Sequence, residues 1–420
     1  MRVLIVGGGA REHALAWKLS RSPVVEELYA APGNPGIAAL ASCVPIRPDA
    51  VVELAEFAQS LKIDLTVVGP ELPLVLGIAD EFARRGLALC GPSRAAAELE
   101  GSKVFTKELC QRYGVPTAEG RVVHDREQAA AAVKHLGLPV VLKADGLAAG
   151  KGVLICRTGD EVELALVRFF EERAFGAAAE RVLVERCLEG EEVSFMVLTD
   201  GTTILPLASA RDYKRLGDDD QGPNTGGMGA VSPSPIAPAL AGEILQDIVR
   251  PALGGLAREG REYRGVLYAG VMVTRDGPKL LEFNCRLGDP ETQVILPRLE
   301  DDLLPLLGGA AAGELAGMRA QWRHEAAVCV VCAAAGYPDS VRRGDPISGI
   351  GDALAVPGVV VFQAGTALED GRLVTAGGRV LSVVGRGATV SAARVQAYAA
   401  VERIEFAGMQ VRRDIGRGIE

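Results

Sequence analysis

Short apolar runs alternate with helix-spaced patterns along this chain, and the order of the two suggests its architecture. Arg2 to Val6 is an apolar run followed by glycines and then by a helical pattern from Glu12 to Ser20, which reads as strand, tight turn and helix. Leu28 to Ala30 and Leu65 to Gly69 read as further buried strands, with helices over Val51 to Leu61 and Leu76 to Arg85 between or beside them. Strands alternating with helices predict a parallel sheet covered on both faces. This first domain is placed at residues 1–101.

After the turn Glu100-Gly101-Ser102 the pattern changes. A helix is predicted over Lys103 to Tyr113, then strands at Ala118 to Val123 and Val140 to Ala144 around a helix at Arg126 to Leu136. A glycine-rich loop, Gly146 to Gly152, leads to a strand at Val153 to Cys156, a helix at Asp160 to Glu172 and a strand at Val182 to Glu185. This α+β unit fills residues 102–190, and its glycine-rich loop motivates a mobile lid over about 115–190. Residues 191–325 carry strands at Glu192 to Leu198, Val266 to Val273 and Lys279 to Asn284. Between the first two lies Ala210 to Pro235, rich in Gly, Pro, Asn and Asp. It reads as a long structureless loop, and such loops are usually functional. The tail, 326–420, is a small strand-rich domain with a late helix near Val390 to Glu402.

Composition narrows the class. At 420 residues the chain is too long for one core, and 48% hydrophobic with 24% charged residues is an ordinary globular balance. A formal net charge of −9 argues against non-specific nucleic-acid or anionic-membrane binding. The longest acidic stretch, Asp218-Asp219-Asp220, reads as a solvated loop. The apolar start is too short for a signal peptide, and the run Ala326 to Ala335 is shorter than the roughly 18 residues of a membrane span, so a cytoplasmic protein is expected. Eight scattered cysteines make no disulfide framework, and Cys329 and Cys332 sit in a valine-rich strand as buried structural thiols.

Five stretches could carry chemistry. Gly7-Gly8-Gly9-Ala10-Arg11-Glu12 looks like a dinucleotide fingerprint, but Glu12 occupies the position where Gly or Ala allows close helix packing. It is left as a helix N-terminus free for some other phosphate, or as a purely structural turn. Lys143 to Gly152 is not a P-loop, because three residues rather than four separate Gly146 from Gly150 and Gly152 follows Lys151. Its amides can still face phosphates. Lys143, at the end of a buried-looking strand, needs an anionic partner. On a strand, Glu282 and Asn284 share one face, and two oxygen ligands suit Mg²⁺, which completes its shell with substrate phosphates. Glu185 to Glu192 could serve as an adenine and ribose hinge. The glycine-dense Gly222 to Ala230, preceded by Arg211 to Arg215, forms a loop whose backbone could approach a substrate closely.

Together these stretches resemble the ATP-grasp superfamily. More narrowly, the chain resembles the phosphoribosylamine–glycine ligases, or glycinamide ribonucleotide synthetases. The segments that carry the resemblance are GGGAREHALAW from Gly7, APGNPG from Ala31, VGPELPLV from Val68, EGSK from Glu100, KADGLAAGKGV from Lys143, GPNTGGMGA from Gly222, EFNCRLGDPETQ from Glu282 and RRDIGRGIE from Arg412. Leu287 stands where the family usually has Phe, and Gly8 where relatives often have Asn.

The resemblance implies an α/β and α+β multidomain fold: a Rossmann-like pre-ATP-grasp domain, a two-part ATP-grasp domain and a small C-terminal domain. It implies an ATP-dependent ligase of purine biosynthesis that joins glycine to 5-phosphoribosylamine through glycyl phosphate, with Mg²⁺ or Mn²⁺. Carried over by position, Lys103 and Lys143 contact ATP phosphates under the loop containing Gly146, Gly150, Lys151 and Gly152. Glu185 and Leu188 meet adenine through backbone atoms, and Glu192, with Glu191, holds the ribose. Glu282 and Asn284 bind the metal, while Tyr268 to Val273 supplies no further carboxylate. Gly9, Arg11, Glu12, Pro70 and Glu71 are candidates for the amine substrate. Asp212, Thr225, Gly226, Gly227, Met228, Arg286 and Asp289 are candidates for glycine and the acyl phosphate. Arg286, Asp212 and Lys143 are expected to act in catalysis. The expected partners are these small molecules alone, in a monomer or weak homodimer with a single activity. A different ATP-grasp ligase and a nucleotide-binding regulatory protein without turnover are the competing readings. The first should lack the Gly288 to Gln293 run, and the intact lysines with Glu282 and Asn284 argue against the second.

Overall fold

The computed structural model describes residues 1–147, 152–234 and 238–419. At the N-terminus, five parallel strands lie in the order Ser42–Cys43, Glu27–Pro32, Arg2–Gly7, Leu65–Val68 and Leu89–Cys90. The central strand, RVLIVG, is buried almost throughout because helices cover both faces, so it reads as a continuous apolar run instead of an alternating one. The helix expected over Leu76 to Arg85 is broken: Gly77, at φ +90°, separates Glu71–Val75 from Ile78–Arg84.

Two antiparallel sheets follow. One orders Gly120–Val123, Val182–Arg186, Val140–Ala144 and Val153–Cys156; the other orders Ile204–Pro206, Glu191–Thr199, Gly265–Thr274 and Gly277–Asn284. Strand alternation decides what each presents. Along Val140–Ala144, Val140, Leu142 and Ala144 are buried in the small sheet's own core, which turns Val141 and Lys143 to the opposite face. Along Gly277–Asn284, Phe283 enters the core and leaves Glu282 and Asn284 on the other side. A bulge falls here, since Gly270 pairs with Glu282 while the next residue, Val271, pairs with Leu280. The unpaired Leu281 has its carbonyl free to accept from Lys143 Nζ at 3.1 Å.

The C-terminal sheet orders Arg211–Asp212, Gly229–Ser232, Ala326–Ala333, Arg379–Gly387 and Val359–Gln363. Its first two strands come from the stretch expected to be structureless. That stretch also holds a hairpin of Arg215–Gly217 with Gln221–Asn224. The expectation failed because glycine and proline signal turns, and here the turns connect very short strands, one of which, Gly229–Ser232, finds its second partner about a hundred residues away. Asp218 to Asp220 are exposed but not simply solvated: Arg412, Arg417 and the Arg413 amide bond to them. One apolar cluster joins Val3 and Leu15 of the N-terminal unit to Met196, Val294, Ala327 and Phe362, so the N-terminal sheet, the sheet of Glu191–Thr199 and the C-terminal sheet share a core. Cys329 and Cys332 are fully buried in the C-terminal sheet, and burial pushes the Cys332 thiol up to about 12.

Candidate active site

A cavity of about 510 Å³ opens where the sheets meet. One wall is cationic. Lys103 and Lys107 rise one turn apart from the helix Lys103–Tyr113, and Lys143 faces them from its strand. The buried Glu185 carboxylate bridges Lys107 and Lys143, the latter at 2.5 Å. Burial works to raise the Glu185 pKa, but Lys143 and Lys107 hold it below the usual carboxylate range. Lys107 also donates to Thr117 Oγ1 at 3.0 Å and Ala118 O at 2.6 Å. Lys103 donates to Gly146 O at 2.9 Å, and burial lowers its pKa, more than the neighbouring Glu282 restores.

Beside this wall stand the two oxygen-bearing side chains of the Gly277–Asn284 strand. Burial would raise the Glu282 pKa, but Lys214, Lys143 and Lys103 keep it lowered, so a carboxylate faces three ammonium groups. Lys214 Nζ lies 4.0 Å from Glu282 and also pairs with Glu192. Asn284 Oδ1 accepts from Arg286 at 3.2 Å. Among the described residues no group of three or more His, Cys, Asp or Glu is arranged to hold a metal. The donor set of one carboxylate and one amide oxygen therefore fits a hard cation such as Mg²⁺ that takes its remaining ligands from phosphates and water.

The far wall is built from half-buried ion pairs. Arg286 pairs with Glu100 at 2.9 Å and with Glu71 at 3.3 Å. Burial opposes the guanidinium charge, but Glu100 and Glu71 raise the Arg286 pKa further. Asp289 is held by Arg379 at 2.9 Å and by Gln293 at 2.7 Å. Behind them Ser194 donates to Glu291 at 2.9 Å and lies 3.0 Å from the Tyr268 hydroxyl. Asp212 Oδ1 is buried without a hydrogen-bond partner, and burial, with Glu291 nearby, pushes its carboxyl well up. A Cβ on Gly227 would stand 2.7 Å from that oxygen and 2.5 Å from Pro290, so only glycine lets the loop pass.

Of the residues singled out in the sequence, Arg11, Pro70, Glu71, Lys103, Lys143, Gly146, Gly152, Glu185, Asp212, Thr225, Gly226, Glu282, Asn284, Arg286 and Asp289 line this cavity. Gly150 and Lys151 lie outside the described residues. Gly9, Glu12, Leu188, Glu191, Glu192, Gly227 and Met228 are not in the lining. Glu12 is buried and turned inward. Its carboxylate accepts the Gly9 amide at 2.5 Å and pairs with Arg11 at 2.6 Å, so the first helix's N-terminal amide at Gly9 is already capped from within instead of free for a phosphate. Met228 is buried in the backbone ladder with Val331, Glu191 is exposed at a strand start, and Leu188 sits in the connector beyond Arg186. Lys107, Glu100, Tyr268, Glu291 and Arg379 also line the cavity, and the sequence reading gave none of them a role in the site. A second lysine four residues after Lys103 on a half-apolar helix was a legible signal; Arg379, from a distant strand, gave none.

Models of three consecutive domains match the chain: Phosphoribosylglycinamide synthetase N domain over residues 1–100, its ATP-grasp (A) domain over 101–292 and its C domain over 327–418. The chain belongs to the phosphoribosylglycinamide synthetase family. Within that family, the phosphoribosylamine–glycine ligase of Mesorhizobium japonicum is 52% identical over 99% of this chain and 98% of its own. The crystal structure of the Thermotoga maritima phosphoribosylamine–glycine ligase, at 35% identity, superposes with a TM-score of 0.86 over 99% of this chain and all of that one. Outside the synthetases, the biotin carboxylase domain of the Hydrogenobacter thermophilus 2-oxoglutarate carboxylase shares the fold, with a TM-score of 0.74 at 20% identity over 98% of this chain and 91% of that one. That structure holds magnesium ADP. The synthetase fold is an ATP-grasp fold, and no helix among the described residues is long and apolar enough to cross a membrane.

Proposed function

We propose that this protein joins glycine to 5-phosphoribosylamine with ATP, giving glycinamide ribonucleotide, ADP and phosphate. The observation that carries the reading is one cavity with a lysine wall on one side, Glu282 and Asn284 in the middle and a guanidinium, Arg286, on the other. A carboxylate is a poor electrophile, and phosphorylation gives it a leaving group. Phosphoryl transfer asks the protein chiefly for positioning and charge neutralisation.

Lys103 and Lys143 hold the triphosphate, and Glu185 stays ionised because Lys107 remains paired with it when Lys143 turns to phosphate. Glu282 and Asn284 would hold Mg²⁺ or Mn²⁺, which would supply charge neutralisation for the transferring phosphoryl group. Arg286 lies next in line after Asn284 and orients the glycine carboxylate in bidentate geometry. That carboxylate attacks the γ-phosphorus to form glycyl phosphate. Asp212, with its unpartnered buried oxygen, receives the glycine ammonium, and Arg11 with Glu71 lines the side where phosphoribosylamine enters. The amine then attacks the acyl carbon and phosphate leaves. The segment 115–190 acts as the lid, and the small-molecule substrates are the partners of a cytoplasmic monomer or weak dimer.

ADP release by the purified protein, with ATP, Mg²⁺, glycine and fresh phosphoribosylamine each omitted in turn, tests the assignment. Full turnover should need all of them, and Glu282→Ala should lower kcat by about a hundredfold or more. ATP hydrolysis indifferent to both glycine and phosphoribosylamine would sink the substrate assignment.

A further inference from the structure

The C-terminal segment Arg412-Arg413-Asp414-Ile415-Gly416-Arg417 lies outside the cavity lining, yet it grips the hairpin that delivers charges to it. The Arg412 side chain is 1% exposed. Its guanidinium donates to both oxygens of Asp414 at 2.8 and 2.6 Å, to Asp220 Oδ1 at 2.7 Å and to the Arg215 carbonyl at 3.2 Å. Asp414 Oδ2 in turn accepts the Asp219 amide at 3.0 Å, and Asp218 Oδ1 accepts the Arg413 amide at 2.7 Å. Asp219 and Asp220 both take positive φ, at 53° and 54°, a turn that these bonds hold in place.

The same guanidinium stands over the Tyr213 ring, 5.0 Å from its centroid, and the Tyr213 hydroxyl accepts the Gly416 amide at 3.1 Å. Tyr213 is buried in the C-terminal core. Along an extended chain alternate side chains point to opposite faces, so clamping Tyr213 inward aims its neighbours Asp212 and Lys214 outward. Both line the cavity, as do Asn224, Thr225 and Gly226 at the hairpin's return.

We propose that Arg412 is a positioning residue: through Asp414, Asp220 and Tyr213 it sets the segment Arg211–Asn224, and with it Asp212 and Lys214, against the glycine-binding half of the cavity. The nucleotide wall, built from Lys103, Lys107, Lys143 and Glu185, hangs on other elements. The proposal rests on the ligase reading above, and because Lys214 reaches Glu282 only at 4.0 Å it predicts a defect much larger on the glycine side than on the nucleotide side.

The test uses the full chain and four substitutions: Arg412→Met, Arg412→Lys, Asp220→Asn and Tyr213→Phe. Steady-state ADP release is measured with glycine varied and with ATP varied, alongside calorimetric binding of Mg²⁺–ADP. Arg412→Met should lower kcat/KM for glycine by about tenfold to a hundredfold, the scale set by small misplacements of reacting groups, with Arg412→Lys in between. Asp220→Asn, which trades the Arg412 ion pair of this latch for a neutral hydrogen bond, and Tyr213→Phe, which loses the Gly416 bond, should each raise the glycine KM by about threefold. In all four the Mg²⁺–ADP dissociation constant should stay within about twofold of wild type. Mg²⁺–ADP binding that falls in step with glycine use would mark general damage and overturn the latch. So would unaltered glycine constants in Asp220→Asn and Tyr213→Phe, which decide the matter even if Arg412→Met does not fold. A wild-type enzyme that releases ADP without needing glycine defeats the ligase reading itself, whereas a glycine-dependent wild type with unaffected variants defeats only the latch.

Discussion

His13 couples the stability of this protein to pH. It is a buried residue on the first helix, its Nδ1 accepts the Gln363 amide at 2.8 Å, and its ring meets Phe362 edge-on at 5.5 Å, which ties the N-terminal unit to the C-terminal sheet. Burial lowers its pKa from 6.5 to about 4, overcoming the opposing contribution of the Gln363 bond. A proton on Nδ1 would also cost that nitrogen its role as acceptor. Because the folded pKa lies below the unfolded one, the unfolded chain binds the extra proton in the window between them. Stability is therefore full above about pH 6.5 and declines as pH falls toward 4. A difference of two to three pH units corresponds to about 3 kcal/mol in full, of which about 2 kcal/mol is lost between pH 7 and pH 5. The assay is urea unfolding at a series of pH values for wild type and His13→Gln, whose side-chain oxygen can still accept the Gln363 amide but does not titrate. Carboxylates contribute to both curves, so the difference between them isolates His13. Parallel curves from pH 7 to pH 5 would refute the argument, whatever the absolute stability of the variant.

Two further outcomes follow from the site. Lys107→Met leaves Glu185 with Lys143 as its sole ammonium partner, so Lys143 is held back from phosphate; the KM for ATP in the ADP-release assay should rise by about tenfold with kcat changed far less, and an unchanged KM would show that Lys107 is only structural. Gly227→Ala forces a side chain into φ +107° against Pro290 and Asp212, which should cost about 1–3 kcal/mol in urea unfolding and lower glycine-dependent turnover; a variant of wild-type stability and rate would contradict the packing described.

Much of this protein was legible in its sequence. Strands such as Val140–Ala144 and Val153–Cys156 and helices such as Arg126–Leu136 follow from local period, and strand alternation alone put Glu282 and Asn284 on one face opposite Phe283. The glycine-rich and Glu-Phe-Asn stretches were visible because their chemistry is written in neighbouring residues. Tertiary structure decided which charges neutralise one another. Glu185 reads as a hinge residue until Lys107 and Lys143 are seen on either side of it, and Glu12 reads as a phosphate-site residue until its carboxylate is found capping its own helix. The same holds for Arg379, about 90 residues from Asp289, and for Arg412, about 190 from Asp220. Periodicity reports which face of an element is apolar. It carries no record of which distant side chain meets that element, because a buried ion pair is specified by the packing of whole sheets and not by the spacing of residues along one strand.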